Sequence, residues 1–163
     1  MLENNEKAYK VQENQQNVRK MCLADTDAVS ALEAAIFSQP WTKKGFEDAL
    51  NMTNTIFLAA ENDGKIAGYI GMYLSMDEGE ITNVAVAPEA RCKGIGNDLL
   101  SNAISQALER GITRIILEVR VSNTNAIRLY ERNGFGICGT RKGFYDFPKE
   151  DAYIMMYEAK GTE

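Results

Sequence analysis

The sequence contains no histidine, and its three cysteines, Cys22, Cys92 and Cys138, are an odd number at wide spacing with no Cys-x-x-Cys pair. The first absence excludes Ser-His and Cys-His nucleophilic pairs and any metal site that depends on imidazole. The second excludes a disulfide framework and points to a reducing cytoplasm. No run approaches the ~20 apolar residues of a membrane span, and the N-terminus carries no apolar signal segment, so neither membrane association nor export is expected. Positive charge is also short, with 18 Lys and Arg against 23 Asp and Glu and a formal net charge of −5. That balance disfavours a nucleic-acid partner, because Lys and Arg neutralising phosphates supply most of such affinity. It suits a basic peptide or an amine. Chemistry is left to carboxylates, tyrosine, lysine, cysteine and backbone groups, with no metal.

What is present fits one domain. A chain of 163 residues buries roughly 70% of its unfolded surface around a single core. The first 17 residues, MLENNEKAYKVQENQQN, are polar and rich in Asn, Gln and Glu. They read as a flexible extension, with a partner-binding arm as the alternative. Residues 18–160 read as the domain.

The periodicity predicts a short strand over Val18 to Cys22 and a helix bearing Val29, Leu32 and Ile36. Thr42 is the expected N-cap of a second helix with Phe46, Ala49 and Leu50 on one face, and Trp41 sits in the connection. Strands are expected at Thr55 to Ala60, Lys65 to Leu74 and Glu80 to Val86, the first two joined by the Asp63-Gly64 turn. A helix then carries Ile95, Leu99, Leu100, Ala103, Ile104, Ala107 and Leu108 on one face and ends at Gly111. A mostly apolar strand over 112–119 completes a βαβ crossover. Ser122 or Asn123 caps a short helix with Ile127 and Tyr130, and Asn133-Gly134 stops it. Closing strands near Phe135 to Arg141 and Asp151 to Glu158 flank an aromatic loop, KGFYDFP.

The stretch RCKGIGNDLL, residues 91–100, has two local readings. It lacks the third glycine of a dinucleotide-binding loop, since position 99 is Leu, and no Gly-Lys-Ser/Thr follows as a P-loop requires. Gly94 and Gly96 either turn the chain before a helix or bare backbone N–H groups to an anion at the helix start, where the partial charge is positive. Arg91 and Lys93 beside the loop suit a phosphate. On local evidence both readings stand.

Two longer stretches, VAVAPEARCKGIGNDLL and LEVRVSNTNAIRLYERNGF, resemble the GNAT superfamily of acetyl-CoA-dependent N-acetyltransferases. The second, with the tail RKGFYDFPKEDAYIMM, resembles the RimI type, the ribosomal-protein alanine N-acetyltransferases. The resemblance runs from about Val18 to Glu158. It implies an α+β GNAT fold, a mixed central sheet of about six to seven strands with flanking helices.

The resemblance also implies roles. The pyrophosphate of acetyl-CoA would rest on backbone groups of Arg91, Cys92, Lys93, Gly94, Ile95, Gly96 and Asn97. Val84, Ala85 and Val86 would face the acetyl and pantetheine arm, with a backbone N–H there for an oxyanion. Asn123 and Tyr130 match cofactor-contacting positions, Tyr130 would protonate the leaving thiolate, and Glu118 matches the general base. Trp41, Phe144 and Tyr145 match the peptide-facing wall. The acceptor would be a protein N-terminus, such as that of a ribosomal protein.

The chemistry is consistent with the residue types. A peptide α-amine has a pKa of roughly 8 and must lose a proton before it attacks a thioester, which a carboxylate accepts directly or through water. Each residue also has a plain reading. Glu118 is then a surface charge at a strand end, Tyr130 a core aromatic, Cys92 a small loop residue, and Trp41, Phe144 and Tyr145 packing side chains. The sequence departs from the RimI pattern at Arg91, where Gln is common, and at Phe144, where Tyr is common. Two other functions use the same donor site, acetylation of a small-molecule amine and non-catalytic binding of coenzyme A.

Overall fold

The computed structural model describes residues 17–161, so residues 1–16 of the extension expected over 1–17 lie outside the described residues. Asn17 already belongs to a strand, pairing with Glu61.

A seven-stranded sheet runs β1 (Asn17–Lys20), β2 (Thr55–Asn62), β3 (Lys65–Ser75), β4 (Glu78–Val86), β5 (Arg114–Arg120), β6 (Gly136–Asp146) and β7 (Lys149–Glu158). In space the order is β1-β2-β3-β4-β5-β7-β6. Only the β4 and β5 pair is parallel, as the crossover through α3 (Ile95–Glu109) demands. Helices α1 (Thr26–Ile36), α2 (Lys43–Leu50) and α4 (Thr124–Arg132) complete the α+β fold.

Local chemistry sets the boundaries. Thr42 caps α2 by accepting the Gly45 amide at 3.1 Å. Asp63 and Gly64 turn β2 into β3 with φ of 52° and 75°, the paired positive values of a tight hairpin. Gly111 follows α3 at φ 84°. Asn123 rather than Ser122 caps α4, its side chain accepting the Ala126 amide at 3.2 Å.

The sheet separates two cores. On one face, Ile95, Leu99, Leu100, Ala103, Ile104 and Ala107 of α3 pack on Ile115, Leu117 and Val119 of β5 and on Ile56, Leu58 and Ile70. Leu99 and Leu100 are wholly buried, and truncating either to Ala would cost about 3 kcal/mol. Leu108, expected on this stripe, is 37% exposed because it lies at the edge of the buried arc. On the other face, Val29 of α1 and Phe46 and Ala49 of α2 pack on Phe57, Tyr69 and Ala85.

The aromatic segment expected as a loop is mostly strand. β6 runs to Asp146 and turns at Phe147-Pro148. Between Arg141 and Tyr145 the pairing with β7 shifts, Gly143 takes φ 63°, and its amide donates to Asp151 at 2.8 Å. This bulge lets β6 continue where the sequence suggested it should end.

Candidate active site

Strands β4 and β5 pair only at Glu78 with Arg114, Gly79 with Ile115 and Glu80 with Ile116. Beyond that they part. β4 stays on β3 as far as Val86, while β5 stays on β7 as far as Arg120. The parting coincides with a bulge in β4. Gly71 pairs with Asn83 and Met72 with Ile81, which leaves Thr82 as the extra residue.

The free edge of β4 presents specific groups to this split. The Ala87 amide donates to Ala67 on β3 at 2.7 Å. By alternation Ala85, opposite Tyr69, also turns its backbone polar groups to β3. Val84 and Val86 turn theirs toward the split. The Val86 carbonyl is taken by the Arg91 side chain, whose Nε donates at 3.1 Å.

The glycine loop lies just beyond. Gly94 is the N-cap of α3 at φ 82°, and a Cβ there would meet nothing within 4 Å. A glycine cap has no side chain to satisfy the amides of Ile95, Gly96 and Asn97, which have no intrahelical carbonyl to bond. These N–H groups at the positive end of a 15-residue helix suit a phosphate. Gly96 does a different job. A Cβ there would meet Leu129 of α4 at 3.1 Å and Val86 at 3.7 Å, so its bareness lets α3, α4 and β4 approach closely. The Asn97 side chain is occupied, accepting from Asn133 Nδ2 at 3.0 Å. Cys92 is exposed with φ 63°, and Arg91 and Lys93 are exposed beside it.

Glu118 sits on β5, on the face opposite Ile115, Leu117 and Val119. Its side chain is only 15% exposed, and Arg141 Nε lies 3.4 Å from Oε1. Burial first, then the nearby Glu80, push its carboxyl above the usual range, and Arg141 partly opposes them. Such a group holds its proton more readily than a surface carboxylate, so it is a better-matched proton acceptor for an amine.

Tyr130, on α4, is 7% exposed, with its ring 5.8 Å from that of Phe135. Burial chiefly, with Tyr145 nearby, raises its pKa well above the ordinary phenol value. Among the described residues no hydrogen-bond partner faces its hydroxyl. A buried hydroxyl left so costs about 1–3 kcal/mol, which fits a bound molecule that supplies an acceptor.

Tyr145 connects the two. It feels Arg120, Glu118 and Glu150, and the Arg120 guanidinium stacks 4.2 Å from its ring centroid. Phe144 meets Tyr145 edge-on at 5.0 Å and is 46% exposed. Trp41 is half-buried and packs its ring on Phe46 at 5.3 Å, Phe57 at 6.2 Å and Tyr73 at 6.3 Å. The connection that carries it touches the β6-β7 turn, where Ser38 donates to the Phe147 carbonyl at 2.6 Å.

Glu118 lies two residues past the last pair of β4 with β5, Tyr145 is near enough to both Glu118 and Tyr130 to interact electrostatically, and the glycine loop follows the end of β4. The side-chain oxygen of Asn123 caps α4. The sequence reading missed Glu80, Thr82 and Arg141, together with the buried trio Glu33, Tyr69 and Asn83. Arg141 and Glu80 reach Glu118 only through strand pairing. Glu33 did have a signal, since it lies four residues after Val29 in the apolar stripe of α1.

Residues 26–135 match the family model described as the Acetyltransferase (GNAT) family. Over 139 residues the chain is 42% identical to a Bacillus subtilis protein provisionally named ribosomal protein bS18-alanine N-acetyltransferase, covering 85% of this chain and 92% of that one. It is 34% identical over 133 residues to the Escherichia coli K12 ribosomal protein bS18-alanine N-acetyltransferase, covering 80% and 89%. The crystal structure of the ribosomal-protein-S18-alanine N-acetyltransferase from Escherichia coli superposes with a TM-score of 0.82 at 29% identity, covering 91% of this chain and 97% of that one.

Proposed function

The chain belongs to the GNAT acetyltransferase family, and from that premise we propose that it acetylates the α-amine of a protein N-terminus that begins with alanine, as on a ribosomal protein. The observation that carries this reading is the split between β4 and β5, with the mostly buried Glu118 carboxylate just past their last pair and open helix-start amides beyond the end of β4. The acceptor is taken from the relatives, which are named for alanine acetylation on ribosomal protein bS18. The net charge of −5 suits a basic protein of that kind. Among the described residues no helix is long and apolar enough to cross a membrane, which is compatible with action in the cytoplasm.

The family uses acetyl-CoA, and the residues fit it. The amides of Ile95, Gly96 and Asn97 would hold its pyrophosphate, with Arg91, Cys92, Lys93 and Gly94 shaping the turn around them. The amides of Val84 and Val86 would line its arm, whereas the Ala85 backbone serves β3. When bound, acetyl-CoA supplies the thioester carbonyl that is attacked and the thiolate that leaves.

The chain's own groups then handle protons and charge. A Glu118 carboxylate oxygen accepts the proton of the acceptor ammonium, directly or through water, and its raised pKa narrows the gap to the amine's value of roughly 8. The Val84 and Val86 N–H groups are donors for an oxygen that gains negative charge. The Tyr130 hydroxyl stays protonated because burial disfavours its anion. A phenol held above about 10 serves a leaving thiolate, whose ordinary thiol value is about 8.5, first as a hydrogen-bond donor and only later as a proton source. Trp41, Phe144 and Tyr145 would flank the incoming peptide.

The test is thiol release from acetyl-CoA with an alanine-first peptide. Glu118→Gln is expected to lower kcat/KM by about two to four orders of magnitude, and Tyr130→Phe is expected to lower kcat. Unchanged kcat/KM in both variants would remove the assigned roles.

A further inference from the structure

Glu33 is 3% exposed, in the apolar face of α1, and plays no part in the chemistry above. Its carboxylate accepts two side-chain hydrogen bonds, one on each oxygen. The Tyr69 hydroxyl on β3 donates to Oε2, and Asn83 Nδ2 on β4 donates to Oε1 at 3.2 Å. Burial raises the pKa of this carboxyl, opposed by the Tyr69 and Asn83 hydrogen bonds and, least, by the nearby backbone N–H of Trp41 in the connection between α1 and α2.

Each donor stands at a different part of the site. Asn83 follows the bulge residue Thr82, whose hydroxyl donates to Asn83 Oδ1 at 2.6 Å, so Glu33 grips the bulge through one intermediary. Tyr69 pairs with Ala85, between the two residues whose amides face the split. Trp41 belongs to the wall on the acceptor side. Docking α1 on the sheet does not by itself call for a carboxylate, since Val29 of the same face packs there as an apolar side chain; once Tyr69 and Asn83 are present, however, their buried donors need the acceptor that Glu33 supplies. What the carboxylate adds is direction, fixing the Tyr69 and Asn83 donors at once beside the Trp41 backbone.

We propose that Glu33 is a positioning residue, which locks the Trp41 connection on the acceptor side to the bulge of β4 on the donor side through Tyr69 and Asn83. The lock rests on the acetyl-transfer reading, since it matters only where two substrates must meet across the split.

The test exploits donor and acceptor logic. In Glu33→Gln one charged acceptor is replaced by an amide N–H, so either the Tyr69 hydroxyl must turn round to accept or Asn83 must turn over and reverse its bond with Thr82, and the charge-assisted grip on both is lost. Glu33→Gln/Asn83→Asp restores every pairing, because the carboxylate introduced on β4 accepts both from the amide introduced on α1 and from the Thr82 hydroxyl. In thiol-release assays Glu33→Gln is expected to lose about ten- to hundredfold in kcat, as misplaced reacting groups do. The KM for acetyl-CoA is expected to stay within about twofold, and the double variant is expected to recover kcat. Tyr69→Phe, which deletes one hydroxyl, is expected to lose kcat in the same manner and serves if Glu33→Gln does not fold.

Wild-type kcat in folded Glu33→Gln or in Tyr69→Phe overturns the proposal. So does a double variant no better than the single one. Absence of turnover by the wild-type enzyme on any N-terminal peptide would instead overturn the acetyl-transfer reading, so the two failures are separable.

Discussion

Arg141 on β6 reaches across β7 to Glu118 on β5, with Nε 3.4 Å from Oε1. The contact holds down a carboxyl that burial and Glu80 push up. Neutralising Arg141 and neutralising Glu80 must therefore move the Glu118 pKa in opposite directions. A general base works deprotonated, so activity rises with pH through its pKa. Arg141→Met is expected to move the acid limb of the kcat/KM profile to higher pH, and Glu80→Gln to lower pH. A profile of kcat/KM against pH for the three proteins reads both shifts, and shifts of the same sign would refute the assignment.

The same carboxyl links activity to stability. Its folded pKa is raised, so the charged form that dominates near neutrality is disfavoured by folding, and the penalty grows as pH rises through the unfolded value. Glu118→Gln is expected to melt at or above the wild-type temperature at pH 7 while losing activity. Thermal denaturation followed by circular dichroism checks this, and a clear drop in Tm would mark Glu118 as structural.

The two glycines of the loop should fail differently. Gly94→Ala forces a side chain into φ 82° with open space around it, costing about 1–2 kcal/mol through backbone strain alone. Gly96→Ala meets Leu129 at 3.1 Å, so its damage should be relieved in Gly96→Ala/Leu129→Ala. Melting temperatures and the KM for acetyl-CoA, measured together, are expected to recover in that pair. Leu129→Ala is expected to bring no such relief to Gly94→Ala.

Cys92 offers a direct view of the cradle. It is exposed in the loop before α3, and Cys22 and Cys138 are exposed elsewhere. Acetyl-CoA is expected to slow alkylation of Cys92 by iodoacetamide and to leave the other two unchanged, as read by peptide mass spectrometry. Equal protection of all three, or of none, would contradict binding at this loop.

Much of the fold was legible because single residues decide local events. Thr42, Asp63-Gly64, Gly111 and Asn133-Gly134 mark boundaries that the structure keeps, and the stripe from Ile95 to Ala107 is the buried face of α3. The exceptions are long-range. β6 continues through KGFYD because its bulge on β7 absorbs Gly143, and no local signal announces a partner strand. In the candidate site, Glu118 and Tyr130 lie in motifs that the sequence displays. Arg141 and Glu80 were not, since their nearness to Glu118 comes from strand register. The glycine pair looked like one feature in sequence, yet Gly94 supplies a backbone angle and Gly96 supplies room for α4. Glu33 shows the reverse case, in which a charge inside an apolar stripe was readable but its partners were not.

Acetyl transfer to a terminal alanine is tested most directly by finding which amine receives the acetyl group. Acetyl-CoA is incubated with the enzyme and a basic alanine-first peptide, with the same peptide blocked at its α-amine, and with small amines such as polyamines. Thiol release is expected with the free peptide only, and tandem mass spectrometry is expected to locate the acetyl group on the terminal alanine nitrogen. Turnover of the small amines with none of the peptide, or acetyl found on a lysine side chain of the peptide, would contradict it.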